Sequence, residues 1–269
     1  MEIAILVFEG ITALDAVGPY EVLARVPQAS VRFVAPQAGP VRTDNRSLGL
    51  LADHGVDQVS RCDLLLVSGG YGQRRLERDP KVLEWVRSMD QHTQITASVC
   101  TGALVLGAAG LLRGKRACTH WAQRARLAEF GALVTEDRVT RDGKYATAAG
   151  VSAGIDLALS LVMELAGVEV AEAIQLAIEY DPMPPLHAGN PTQAPQRAKD
   201  SGAQPRTGSG RGARARGILS GAAPRARPCA AHGDGSACKA QQWPPSAQRW
   251  PPVANANDDI SQGVRSAGR

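Results

Sequence analysis

The sequence predicts an α/β protein built on a mainly parallel sheet, layered between helices. Three observations lead there. Strand-like and helix-like patterns alternate from residue 1 to about residue 180, as they do when helices cover both faces of a parallel sheet. The stretch LLLVSGGYG, Leu64 to Gly72, reads as a buried strand running into a glycine turn. In ITASVCTGALVLGAAGLL a single cysteine, Cys100, falls where a strand stops and a helix starts. The chain has 269 residues, enough for one or two domains, and its 44% apolar content permits a full core.

The elements follow in order. EIAILVF is the first strand, and FEGITALDAVGPYEVLARV leads from it into a helix expected to open at Gly18-Pro19. SVRFVAP is the second strand. VRTDNRSLGLLADHGVDQV is a loop or short hairpin excursion, and its part from Asp44 to Val59 is expected to shape a pocket. DLLLVSGG is the next core strand. Asp79-Pro80 supplies an N-cap and first-turn proline for DPKVLEWVRSMDQ, where Val82, Val86 and Met89 recur at helical spacing. ITASVC is the elbow strand, and Thr101 to Leu112 is the helix behind it. GKRACTHWAQRARLAEFG reads as strand, turn and helix. ALVTEDRVTRDGKYATAAG reads as a hairpin turning at Arg141 to Lys144. GVSAGIDLALSLVMELAG is a buried helix with Ile155, Leu159, Val162 and Leu165 expected on its inner face and Gly167 as its stop. VEVAEAIQLAIEY is a last amphipathic helix, ended by the prolines of YDPMPPL.

Composition changes after Leu186. Residues 1–186 carry 18 Lys and Arg against 22 Asp and Glu, a net −4, whereas residues 187–269 carry 12 against 4, a net +8. The domain division expected is therefore 1–186, an acidic α/β unit, and 187–269, a basic tail rich in Gly, Ala, Pro and Arg. With almost no Ile, Leu, Val or Phe, that tail cannot bury enough apolar surface to offset its ordering entropy, and disorder is predicted. Its composition fits out-of-frame translation of a GC-rich gene. Six arginines from Arg206 to Arg227 would suit a nucleic acid, but no aromatic interleaves them and nucleic-acid binding is not expected. Cys229, His232 and Cys238 form no zinc spacing. Met1 is followed at once by Glu2 and a strand pattern, so no secretory leader is read, and no apolar run approaches the roughly 20 residues that span a bilayer. Five irregularly spaced cysteines then suggest reduced thiols and a cytoplasmic location.

The chemistry-bearing residues sit at strand ends. An elbow holds Cys100 above the carboxyl end of the sheet with the positive end of a helix beneath it, which predicts a lowered thiol pKa and a nucleophilic thiolate. The plain alternative is a buried structural cysteine. Asp15 is expected in the loop after the first strand, on the same rim, where a partly buried carboxyl can take or return the thiol's proton. The alternative is that it caps a turn. Gly69 and Gly70 allow backbone N–H groups close to a ligand, as an oxyanion hole requires, although most glycine pairs are only turns.

With these residues placed, TALDAVGPYEVLARVP, LLVSGGYG, SVCTGALVLGAAGLLRGKRACTHW and EYDPMPPLHAGNP together resemble the ThiJ/PfpI superfamily of flavodoxin-like, class I glutamine-amidotransferase-like proteins. Within it the resemblance is to the isonitrile hydratase branch, over roughly residues 2 to 191. Ala117-Cys118-Thr119-His120-Trp121 stands where that branch usually has Ala-Thr-Thr-His-Trp, a departure at Cys118. The resemblance implies a flavodoxin-like three-layer sandwich, a nucleophile at Cys100, an acid/base at Asp15 and support from Thr101. It further implies a cysteine-dependent hydro-lyase taking a small isonitrile, with no metal or organic cofactor, working as a homodimer. PfpI-type peptidases carry a histidine directly after the cysteine; here that residue is Thr101, against a Cys-His peptidase. His120 is a candidate neighbour of the site, its plainer role being structural. Two other readings stand. One is the ligand-sensing half of an AraC-type regulator, without its DNA-binding helices. The other is a glyoxalase- or deglycase-like stress protein whose cysteine oxidises to a sulfinate.

Overall fold

The computed structural model describes residues 1–202. Strand β1 (Glu2–Leu6) leads into α1 (Ala13–Leu23), and β2 (Ser30–Ala35) returns beside β1. A hairpin of β3 (Gly39–Arg42) and β4 (Gly49–Ala52) follows, then the short β5 (His54–Gly55). Next come β6 (Leu64–Val67), α2 (Gln73–Leu76), α3 (Pro80–His92), β7 (Ile95–Val99) and α4 (Gly102–Ala108). A small parallel pair, β8 (Arg116–Ala117) and β9 (Leu133–Val134), brackets a 3-10 turn (Trp121–Gln123) and α5 (Arg124–Glu129). The hairpin β10 (Val139–Asp142) and β11 (Tyr145–Ala148) precedes α6 (Ala153–Ala166), α7 (Val168–Ala177) and α8 (Gln196–Gly202).

Seven strands make the central sheet, ordered β10-β11-β7-β6-β1-β2-β5, and every pairing is parallel except β10 with β11. β6 and β7 are buried at every position, because helices cover both faces of the middle of the sheet. α1, α6 and α7 pack together, and α3 and α5 flank α4. The three-layer, mainly parallel α/β architecture read from the sequence is the one observed. Its consequence for function is topological. β7, β6 and β1 are neighbours, so the segments leaving their carboxyl ends meet on one rim, and those segments carry Cys100, Gly69 and Asp15.

Three local expectations change. α1 opens at Ala13, not at Gly18-Pro19, so Asp15 lies in the first helical turn instead of a loop. Thr12, in extended conformation, is the N-cap, and its carbonyl accepts the Asp15 N–H at 3.0 Å. Pro19 falls inside the helix, where its missing N–H costs a hydrogen bond. Tertiary packing outweighs that cost: Gly154 of α6 leaves room for the buried Pro19 ring, and Gly18 does the same for Ile155. α6 turns a different stripe inward. Leu157, Ala158, Leu161 and Val162 are buried, while Ile155, Leu159 and Leu165 are only partly covered. α4 is shorter than predicted, ending before Gly110, whose φ is 84°.

The expected disordered tail begins at residue 187, yet residues 187–202 contain turns and α8. Their order is local: Asn190 Oδ1 accepts the Thr192 N–H at 2.9 Å, and Gln196 Nε2 donates to Asp200 Oδ1 at 2.8 Å. The remainder of the predicted tail, with its arginines and Cys229, His232 and Cys238, lies outside the described residues. Among the described residues no helix is long and apolar enough to cross a membrane.

Candidate active site

Cys100 follows β7 directly, and its φ of 56° puts an L-residue in the left-handed region. Such a backbone is costly outside glycine and persists only where its surroundings enforce it. They do so here. The Cys100 N–H is shared between the carbonyls of Ala148 and Ala149 at 3.1 and 2.8 Å, and its carbonyl accepts the Thr119 hydroxyl at 2.8 Å. Two residues on, a Cβ on Gly102 would come within 2.1 Å of the Val67 carbonyl oxygen, so the elbow can descend into α4 only with glycine there. The predicted strand-to-helix elbow is therefore present, with the cysteine side chain 5% exposed.

Asp15 reaches this cysteine from α1. Its side chain is 0% exposed, and Oδ2 accepts the Gly69 N–H at 3.0 Å. Oδ1 is buried without a hydrogen-bond partner among the described residues, and the carboxyl stands next to Cys100: the position a Cβ would take on Gly69 is 2.6 Å from Asp15 Oδ2 and 2.9 Å from Cys100 Cβ. Burial raises the Asp15 pKa from 3.8 to about 7, with a further push from the Asp44 charge and opposition from the Gly69 N–H and the thiol.

The thiol departs from the sequence expectation. A helix end was expected to lower its pKa. Burial instead raises it, and the neighbouring Asp15 charge adds to the rise. The backbone N–H groups of Val151 and Thr101 hydrogen-bond the sulfur and pull the other way, without prevailing. A seven-residue helix has a small macrodipole, and a carboxylate in contact overrides it. The pair therefore enters neutral pH as a thiol beside a carboxyl titrating near 7, and it can pass one proton between sulfur, carboxylate and a third atom.

Gly69 and Gly70 also take other work. The Gly69 N–H is committed to Asp15, and the Gly70 N–H donates to Thr101 Oγ1 at 2.9 Å. Neither N–H is left to form an oxyanion hole; the glycines orient the acid and Thr101. Their lack of a side chain matters for close approach. A Cβ on Gly69 would lie 2.6 Å from both Asp15 Oδ2 and the Thr101 nitrogen. Thr101 thus touches the site twice, through its hydroxyl on Gly70 and its N–H on the sulfur.

His120 stands beside this group. Its Nδ1 accepts the Ala122 N–H at 3.3 Å, its ring lies against Gly150, and burial lowers its pKa. The preceding residue, Thr119, is the one that bonds Cys100, a contact sequence reading missed although the residue stood in the ACTHW motif. Asp44, expected as the start of a pocket-shaping segment, was not read as a charge acting on Asp15. Asp44 accepts the Thr12 hydroxyl at 3.1 Å and lines an adjoining cleft with Glu9, Thr43, Arg46, Tyr71 and Arg75. Among the described residues no group of three or more His, Cys, Asp or Glu is arranged to hold a metal ion.

Comparison with known proteins follows the same lines. The sequence profile described as the DJ-1/PfpI family matches residues 1–164. An isonitrile hydratase from Pseudomonas putida is 43% identical over 200 residues, covering 74% of this chain and 87% of that protein. The HTH-type transcriptional regulator CdhR from Pseudomonas aeruginosa is 32% identical over 162 residues, 59% of this chain but only 48% of the regulator. Among solved structures, a ThiJ/PfpI family protein from Pseudomonas syringae matches with a TM-score of 0.73 and 38% identity, covering 75% of this chain and 84% of that one.

Proposed function

The chain belongs to the DJ-1/PfpI family, and from that premise we propose that it hydrates isonitriles to N-substituted formamides, with Cys100 as nucleophile and Asp15 as the single acid/base. One observation carries the reading: a buried carboxyl, raised to about 7, stands beside a buried thiol. The 43% identity to an isonitrile hydratase supports the substrate class. Thr101 after the cysteine speaks against a Cys-His peptidase.

In the first step the Cys100 sulfur bonds to the terminal carbon of R–N≡C. The thiol proton passes through Asp15 to that carbon, giving R–N=CH–S–Cys100, a thioimidate. In the second step Asp15 takes a proton from water as its oxygen adds to the same carbon. The C–S bond then breaks, nitrogen and sulfur each end with a proton, and R–NH–CHO leaves. No metal or organic cofactor takes part in this sequence. Thr101 steadies the sulfur through its N–H, while His120 stays a neighbour of the site. We further propose a cytoplasmic homodimer, which sedimentation of the purified protein tests.

A second reading has its own support in the 32% identity to a transcriptional regulator, in which case the same pocket would bind a ligand without turning it over. Turnover separates the two. Purified protein and Cys100→Ala are each given cyclohexyl isocyanide, and the N-formamide is followed. Formation by the unaltered chain alone is the expected result. No formamide from a folded, unaltered chain would move the weight to sensing, and turnover by Cys100→Ala would remove the nucleophile from the mechanism.

A further inference from the structure

Thr12 stands at the N-cap of α1, where a threonine hydroxyl usually accepts a hydrogen bond from the backbone of its own helix. It makes no such bond. The hydroxyl turns away and donates to Oδ2 of Asp44, in the loop between β3 and β4, at 3.1 Å. Asp44 is itself held at both ends. Its N–H donates to the Ile11 carbonyl at 2.9 Å, and its Oδ1 accepts the Asn45 N–H at 2.7 Å. Ile11 also forms a parallel bridge with Thr43. The loop is thus strapped to the residues that open α1, and the chemistry above makes no use of the strap.

The backbone of Thr12 leads on to the acid. Its N–H donates to the Gly69 carbonyl at 3.0 Å, its carbonyl accepts the Asp15 N–H at 3.0 Å, and the Gly69 N–H returns to Asp15 Oδ2 at 3.0 Å. These three bonds close a ring through Thr12, Asp15 and Gly69, and the Cys100 elbow lies directly against Gly69. We infer that Asp44 is a positioning residue that, by gripping the Thr12 hydroxyl, holds this ring and with it the Asp15 carboxyl beside Cys100. The inference rests on Asp15 as the acid/base of the proposed reaction. Asp44 also adds charge: with one carboxylate in the loop, a second at Asp15 forms less readily. Of the elements packed on α1, the elbow brings the Cys100 thiol, and α6 brings Asp156, which Arg138 Nε meets at 2.6 Å. Glu9, Arg46 and Arg75 line the same cleft as Asp44.

The test reads the ring without any turnover. In the full chain labelled with nitrogen-15 glycine, the Gly69 amide signal shifts as Asp15 ionises, because that N–H rests on Oδ2. Loss of the titration in Asp15→Asn identifies the signal. In Thr12→Val, which removes the hydroxyl and keeps the shape, the shift should shrink to about half or less, and Thr12→Ser should restore it. In Asp44→Asn the midpoint, near 7 in the unaltered chain, should fall by about half a pH unit or more. Isonitrile turnover adds a second readout: Thr12→Val should lower kcat/KM about tenfold, again with recovery in Thr12→Ser. A folded Thr12→Val or Asp44→Asn whose Gly69 signal moves as far, and at the same pH, as in the unaltered chain overturns the inference. Should Thr12→Val not fold, Asp44→Asn decides alone. An unaltered chain that makes no formamide sinks the hydratase reading and leaves the amide titration to decide this one.

Discussion

At the scale of one residue, Asp15 carries the most information, because its burial has opposite consequences for stability and for activity. Its pKa rises from 3.8 to about 7 on folding, so between those values the folded protein holds a proton that the unfolded chain has lost. The stability contribution is therefore full below the unfolded value and fades as pH climbs through the window to the folded one. Above it the protein carries a buried carboxylate at a cost of a few kcal/mol. Asp15→Asn removes this cost without altering the shape of the side chain. The melting temperature of Asp15→Asn, relative to the unaltered chain, should rise as pH goes from about 4 to about 8, while formamide production falls at every pH. In the unaltered chain kcat/KM should climb through about pH 7 as Asp15 ionises. A melting difference that stays flat with pH would mean that Asp15 is no buried acid. The sequence placed Asp15 on the right rim because a carboxyl follows the first strand, but it could not give the burial. Burial is made by Gly69, Cys100 and the sheet around them, and for the same reason the predicted thiol shift had the wrong sign.

At the scale of elements, the site depends on how closely two turns approach. The turn after β6 and the elbow after β7 leave neighbouring parallel strands, and Gly69 lies where they touch α1. A methyl group there would sit 2.6 Å from Asp15 Oδ2 and 2.9 Å from Cys100 Cβ, so Gly69→Ala must push acid and nucleophile apart. A displacement of this kind is expected to cost about a hundredfold in kcat/KM per folded molecule, counted by alkylation of Cys100. Retention of normal kcat/KM would show that the close approach is dispensable. Strands and their ends were legible in the sequence because β6 is a continuous apolar run that stops at Ser68-Gly69 and β7 is a β-prone, mostly apolar run that stops at Cys100. The start of α1 was not. Gly18-Pro19 carries a strong local signal for a first turn, and only the contact of Pro19 with Gly154 reveals why the proline sits mid-helix. The bonds that Asp156 accepts from Arg138 Nε at 2.6 Å and from the Tyr180 hydroxyl at 3.1 Å were invisible for the same reason: 18 residues separate the first pair and 24 the second, and nothing local links them.

At the scale of the molecule, the chain divides by charge, −4 through residue 186 and +8 beyond it. Among the described residues the apolar core and the hydrophobic side chains packed on it come from residues 1–178, and the family match ends at residue 164. Each site residue lies inside those limits. In residues 187–200 exposed polar contacts replace core contacts, and short-range hydrogen bonds of that kind add little to global stability. We therefore propose that residues 1–186 are a self-sufficient unit. A chain ended after Leu186 should melt within about two degrees of the full chain, given that surface changes stay within roughly half a kcal/mol, and should keep its isonitrile turnover. The two chains should differ in charge behaviour: the full chain should bind a cation exchanger at neutral pH and the shortened one should not. If the shortened chain instead loses turnover while its melting is unchanged, residues beyond Leu186 reach the site. If both are lost, they belong to the fold, and the division by composition is not a division of structure.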